Sequence, residues 1–73
     1  MHLTKAQTWQ LSRLLVETNL ATSMAEARRL IEQGGVRVEG ERVSQTNAEV
    51  ELKVDQEVVI QVGKRRHVRL LGV

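Results

Sequence analysis

The amino-acid sequence predicts a small α+β domain in which two short helices pack on a small, twisted antiparallel sheet. Two observations favour this class. Between residues 9 and 33, apolar side chains recur at the three- and four-residue spacing of amphipathic helices. After residue 36, apolar residues alternate with polar ones, as they do in half-buried strands. Because the chain has only 73 residues, we expect one domain over residues 1–73 with a modest core.

Residues 1–8 show no firm pattern, and we expect them to form a lead-in. The first helix is predicted to begin at Trp9 with Thr8 as its cap, since a threonine hydroxyl can accept from the first helical amides. Asn19 tolerates the left-handed backbone conformation, so it should end this helix and let Leu20 fold back on the last turn. The buried face comprises Leu11, Leu14 and Leu15.

The second helix has clear start and stop signals. Ser23 and Glu26 have the spacing of a capping box, in which the hydroxyl accepts from the Glu26 amide and the carboxylate returns to the Ser23 amide. The helix should therefore begin at Met24 and end near Gln33, because Gly34 supplies a left-handed residue. The buried face comprises Ala27, Leu30 and Ile31, with Met24 beside them.

Two arginines lie in the middle of this second helix. At about 100° per residue, Arg29 points away from the apolar face, whereas Arg28 lies on its flank with Glu32 one turn on. Helix N-terminal amides and the positive end of the helix dipole favour an anion such as phosphate. Ser23, Arg28 and Arg29 are therefore candidates for anion binding, and an ordinary solvated helix face is the alternative.

A tight hairpin is predicted over residues 36–43. Val36 and Val38 alternate with polar residues, Glu39–Gly40 forms the turn, and Val43 returns opposite Val36. A type I′ turn needs positive φ at both central residues, which strains Glu39, so the turn type stays open. Residues 9–43 together are expected to form a helix–helix–hairpin core.

The remaining chain divides into two parts. Residues 44–57 are expected to be poorly defined, because Asn47 and Asp55 interrupt a weak alternation. Residues 58–73 are predicted to form a terminal basic hairpin, with strands at 58–62 and 67–71. Val58, Ile60, Val62, Val68 and Leu70 should face the helices, leaving Arg69 outward.

Positive charge is concentrated near the end of the sequence. The formal net charge is +2, yet residues 1–62 hold seven basic and nine acidic side chains, whereas residues 63–73 hold four basic and no acidic ones. This asymmetry favours a binding patch for a polyanion. A solvated turn is the alternative explanation for Lys64, Arg65 and Arg66.

The sequence shows no catalytic set, metal site or cofactor motif. His2 and His67 lack further zinc ligands, and His67 is expected to pack at the start of the last strand. The absence of cysteine and of any apolar run of about 20 residues favours a soluble cytoplasmic protein with no membrane partner. Trp9 is the only aromatic residue, which argues against modules that stack single-stranded bases on aromatic rings.

The order of these signals resembles a known RNA-binding module, the one named after small-subunit ribosomal protein S-four. The matching segments are Leu20-Ala21-x-Ser23, Ala27-Arg28-x-Leu30-Ile31 and Gly34-Gly35-Val36-x-Val38-x-Gly40-x-x-Val43. The resemblance implies an S-four-like fold and a partner of structured RNA. With the basic hairpin, it indicates a set of candidate RNA-binding residues. These are Ser23, Arg28, Arg29, Arg37, Lys64, Arg65, Arg66 and Arg69.

The ending VGKRRHVRLLGV is similar to the basic hairpin that closes bacterial-type tyrosyl-tRNA synthetases, although His67 replaces an aromatic residue. This resemblance implies tyrosine tRNA as the partner, held at its long variable arm and neighbouring stem. It also implies a non-catalytic, monomeric module whose parent is a homodimeric, ATP-dependent ligase. The alternatives are a stand-alone ribosome-associated protein, the front module of a pseudouridine synthase, and a protein–protein module.

Overall fold

The computed structural model describes residues 1–73 and contains two helices and seven strands. In chain order they are β1 (His2–Thr4), β2 (Thr8–Gln10), α1 (Leu11–Glu17), α2 (Met24–Glu32), β3 (Val36–Val38), β4 (Glu41–Val43), β5 (Glu49–Glu51), β6 (Glu57–Val62) and β7 (Arg66–Gly72). The predicted α+β class is confirmed.

The main sheet has five strands in the order β1-β7-β6-β3-β4, and β2 pairs with β5 in a separate two-stranded sheet. All pairs are antiparallel except β1 with β7, which run parallel from His2 beside Leu70 to Thr4 beside Gly72. The expectation of a purely antiparallel sheet is therefore corrected at one edge. This edge forms because β1 pairs with β7, which is distant in the sequence, and no local sequence pattern indicates such a pairing.

The N-terminal residues differ most from the sequence prediction. Residues 1–8 are not a simple lead-in, since they contain β1 and the start of β2. Helix α1 begins at Leu11, and its N-cap is Gln10, whose side chain makes no capping hydrogen bond. The Leu11 amide instead donates to the Ala48 carbonyl at 2.9 Å. A tertiary contact thus replaces the Thr8 cap, because Thr8 is held in the pairing of β2 with β5.

The end of α1 follows the prediction. Asn19 adopts a positive φ of 61°. The amide of Leu20 donates to the Leu15 carbonyl at 2.9 Å, and that of Asn19 donates to the Val16 carbonyl at 3.1 Å. These two bonds are the Schellman arrangement, and they turn the chain toward α2.

Helix α2 is bounded by the predicted signals. The Ser23 hydroxyl accepts from the Glu26 amide at 3.1 Å, whereas the Glu26 carboxylate accepts from the Thr22 hydroxyl and does not complete the capping box. Gln33 is the C-cap, and Gly34 follows with φ of 73°. The Gly35 amide then donates to the carbonyl of residue 30 at 3.1 Å, which makes a second Schellman arrangement.

The hairpin of β3 and β4 pairs Val36 with Val43, as predicted. Glu39 and Gly40 both have positive φ, 52° and 84°, as a type I′ turn requires. Two bonds to β6 hold Glu39 in this strained conformation. Its amide donates to the Val59 carbonyl at 2.9 Å, and its carboxylate accepts from the Val59 amide at 3.2 Å.

One face of the main sheet carries the core with the helices. The predicted inward residues Val58, Ile60, Val62 and Leu70 are buried in the core, and Val68 packs against it. Residues 44–57 contain β5 and Leu52, which is only 2% exposed. Neither helix is long and apolar enough to cross a membrane.

Candidate nucleic-acid interface

The loop between β6 and β7 is held to the helical layer at both of its ends. The Gly63 amide donates to the Gly35 carbonyl at 2.8 Å, just past the end of α2. At the other end, the Arg66 guanidinium donates to the carbonyls of Asn19 and Leu20 at 3.1 and 2.9 Å, just before α2 begins. Lys64 and Arg65 therefore project from a loop that is fixed on both sides.

Arg66 differs from its two basic neighbours because its Nη2 atom is already bound within the chain. The two carbonyls that it contacts follow the end of α1, where main-chain acceptors have no partner inside the helix. A cation there also interacts favourably with the negative end of the helix dipole. The contacts link residues 46 and 47 positions apart, so no local sequence signal could have shown them.

Some of the other cationic side chains form ion pairs with carboxylates, and the rest do not. Three of the eleven form ion pairs: Arg13 with Glu17 at 3.2 Å, Lys53 with Glu51 at 3.6 Å, and Arg69 with Glu57 at 3.6 Å. The cations that have no carboxylate within 4.0 Å and no hydrogen bond are Lys5, Arg28, Arg29, Arg37, Arg42, Lys64 and Arg65.

The candidates on α2 are accessible. Arg28 and Arg29 are exposed, and Arg28 forms no ion pair with Glu32, which lies one turn on. Ser23 is also exposed, but its hydroxyl is engaged in capping the helix. Arg69 faces outward as predicted, with 63% of its side chain exposed beside Glu57.

The outer face of the main sheet contributes further positive charge. Arg42, Arg37, Gln61 and His67 lie next to one another across β4, β3, β6 and β7. His67 is exposed, so the expectation that it packs is wrong. Cross-strand like charges such as Arg37 and Arg42 repel each other, and a bound anion relieves that repulsion. Arg42 was not among the predicted residues, although the predicted pairing of Val36 with Val43 places it beside Arg37 on the same face.

Comparison with known proteins identifies the family. Residues 1–70 match the family model described as "Tyrosine--tRNA ligase SYY-like C-terminal domain". The chain belongs to this family. It is 52% identical over 60 residues to the tyrosine–tRNA ligase of Moorella thermoacetica, covering 82% of this chain and 14% of that ligase. It is 47% identical over 62 residues to the ligase of Symbiobacterium thermophilum, covering 85% of this chain and 15% of the relative.

A third ligase, from Geobacter metallireducens, is 51% identical over 61 residues, covering 84% of this chain and 15% of the relative. The chain thus spans about one seventh of the length of these relatives. The match confirms the predicted resemblance to the C-terminal domain of bacterial-type tyrosyl-tRNA synthetases. The exposed guanidinium and ammonium groups of α2, the β6–β7 loop and the outer sheet face have the chemistry to bind phosphates.

Proposed function

We propose that this chain binds RNA as the tRNA-recognition C-terminal domain of a cytoplasmic tyrosyl-tRNA synthetase. Its partner would be tyrosine tRNA, contacted at the long variable arm and the adjacent stem. The parent would be a homodimeric, ATP-dependent ligase with its catalytic residues elsewhere, and the isolated domain would be a monomer. The supporting observation is the set of unpaired cations on the hairpin loop, α2 and the outer sheet face, in a chain of this family.

The mode of recognition would be readout of RNA shape. Trp9 is the only aromatic residue, so the chain lacks the several aromatic rings on which modules for single-stranded RNA stack successive bases. Arginine side chains can bind phosphates with two parallel hydrogen bonds, and a structured RNA backbone presents phosphates at fixed spacing. Phosphate contacts position a protein without reporting sequence, so preference must come from how far apart the basic sites lie.

The proposed RNA-binding residues differ in whether their side chains already have a partner within the chain. Arg28, Arg29, Arg37, Lys64 and Arg65 contact phosphates directly, and Ser23 contributes through the N-terminus of α2 that it caps. Arg69 contributes less, because Glu57 competes for its guanidinium. Arg66 acts mainly by holding the loop against the α1–α2 connection.

The decisive experiment compares tyrosine tRNA with the same tRNA lacking its long variable arm, at one fixed salt concentration. We expect the deletion to weaken binding about tenfold, or about 1.4 kcal/mol. Lys64→Ala with Arg65→Ala should remove most of this preference and leave weak general affinity. Lys5→Ala with Lys53→Ala is the matched control and should retain the preference. Equal affinity for both RNAs would contradict the proposal and favour a general RNA binder.

A further inference from the structure

A polar hollow lies where the outer face of the main sheet meets the end of α2 and the β6–β7 loop. No apolar residue lines it. The lining residues are Gly34, Gly35, Arg37, Gln61, Gly63 and Lys64. We propose that this hollow binds a single phosphate group. The identification of RNA as the source of this phosphate rests on the proposed function. The existence of an anion site in the hollow does not depend on it.

Three glycines line one wall of the hollow, so main-chain atoms without side chains form this wall. Gly34 and Gly63 have φ of 73° and 67°, a conformation in which any side chain is strained. A Cβ at Gly63 would have no atom within 4 Å, so this side of the hollow is open to solvent. The Gly63 carbonyl accepts from the Gln61 side-chain amide at 3.0 Å, and its own amide is bonded to Gly35. The wall is therefore both accessible and fixed.

Uncompensated positive charge surrounds this wall. Arg37 and Lys64 line the hollow, and neither has a carboxylate within 4.0 Å. Arg42 lies across Gly34, where its Cδ would be 3.3 Å from an added Cβ. The main-chain amides of Lys64 and Arg65 also have no hydrogen-bond partner. Cations on two sides with free amides nearby are the arrangement that binds an oxyanion by charge and hydrogen bonds together.

Two cations that share one phosphate have a measurable signature. Each neutralised phosphate contributes about 0.9 to the slope of log affinity against log salt on a duplex. If Arg37 and Lys64 hold the same phosphate, the double variant Arg37→Gln with Lys64→Gln should lower the slope by about 0.9 in total. Its loss of affinity should also be smaller than the product of the losses of the two single variants.

The first arm of the test measures the binding of an RNA hairpin by the full chain and by these variants. Lys5→Gln is the control, because Lys5 is an unpaired cation beyond Thr4, at the opposite end of the main sheet from the loop. The control should leave the slope unchanged. A fall of about 1.8 in the double variant would overturn the shared site in favour of two separate phosphates. An unchanged slope with intact RNA binding would also overturn it, leaving the proposed function in place.

The second arm uses inorganic phosphate without RNA. We expect saturable amide shifts confined to Gly34, Gly35 and residues 63–65, and their loss in the Arg37→Gln, Lys64→Gln variant. Shifts spread over all basic segments would overturn the site. Saturable, confined shifts in a chain that binds no RNA would establish the anion site and refute the proposed function, so the two failures are distinguishable.

Discussion

The two ends of the main sheet carry opposite charge. At the hairpin end, residues 63–66 hold three cations and no carboxylate. Residues 49–57 hold four carboxylates and one lysine, and they lie toward the other end, where Val54 bridges Gly72 and Glu57 pairs with Leu71. A formal net charge of +2 therefore describes this molecule poorly. The separation of charge, more than its sum, determines which surface a polyanion meets.

The two ends also differ in how their cations are used. Toward the acidic end, Lys53 and Arg69 are each paired with a nearby glutamate. At the hairpin end, Lys64 and Arg65 have no such partner, and Arg66 is bound to main-chain carbonyls. Exposed ion pairs contribute little to stability, but they reduce the charge that a ligand experiences. The unpaired cations are therefore the ones that we propose as RNA contacts.

Reversing charge at the hairpin end should give the largest effect. Loss of two phosphate contacts costs about 30-fold in affinity at 0.15 M salt, and added repulsion should bring Lys64→Glu with Arg65→Glu to about 100-fold. Lys5→Glu with Lys53→Glu changes the net charge equally and should cost only a few-fold. Titration of a fluorescent RNA hairpin measures both. Similar losses in the two variants would show that net charge, and not its location, controls binding.

Removing the internal contacts of Arg66 should give an intermediate effect. Arg66→Ala removes two charge-assisted hydrogen bonds in a partly exposed site, so the free energy of unfolding should fall by about 1–2 kcal/mol. RNA affinity should fall less than tenfold, with the salt slope unchanged, because no phosphate contact is lost. Urea denaturation and salt-dependent binding measure these two quantities.

Arg65→Ala provides the matched control for this variant. It should leave the free energy of unfolding within about 0.5 kcal/mol of the original chain, since Arg65 has no partner within the chain. It should instead lower the salt slope by about 0.9. If Arg66→Ala lowers the slope and spares stability, Arg66 is a direct phosphate ligand.

Neutralising the acidic end should give the smallest effect. Strand β6 has six residues, so the two ends lie about 20 Å apart, well beyond the screening length of about 8 Å at 0.15 M salt. Glu49→Gln with Asp55→Asn should therefore change RNA affinity less than twofold under those conditions. At 0.01 M salt the screening length is about 30 Å, and affinity should rise measurably. An increase at 0.15 M salt would show that the acidic segment lies close to the bound RNA.

The features that sequence predicted are those with local causes. Asn19 sets the end of α1, and Ser23 and Gly34 set the two ends of α2, through neighbours within a few residues, and the structure has these three bounds. Alternation in the strands likewise identified the buried face of β6 and β7. Charge density in the sequence made Lys64 and Arg65 candidates for binding, and the structure leaves both without an ion pair.

The features that sequence did not predict depend on distant partners. Trp9 lies in β2 because it pairs with Val50 in β5. Residues His2–Thr4 form β1 because they pair with β7. Dependence on distant residues also explains why the surroundings of Arg66 and Arg42 in the candidate site were not predicted. Arg66 was grouped with its neighbours because its acceptors are 46 and 47 positions away. The place of Arg42 over Gly34 likewise depends on the folded hairpin.

The parallel pairing of β1 with β7 has a consequence for folding on the ribosome. Synthesis proceeds from the N-terminus at about 5–20 residues per second, so β1 leaves the ribosome long before its partner exists. The helices and the β3–β4 hairpin make short-range contacts and can form first. Until β7 emerges, β6 has an unpaired edge that invites association with other chains. The main sheet therefore cannot be completed before β7 emerges, and we expect chains stalled before that point to leave this edge of β6 exposed.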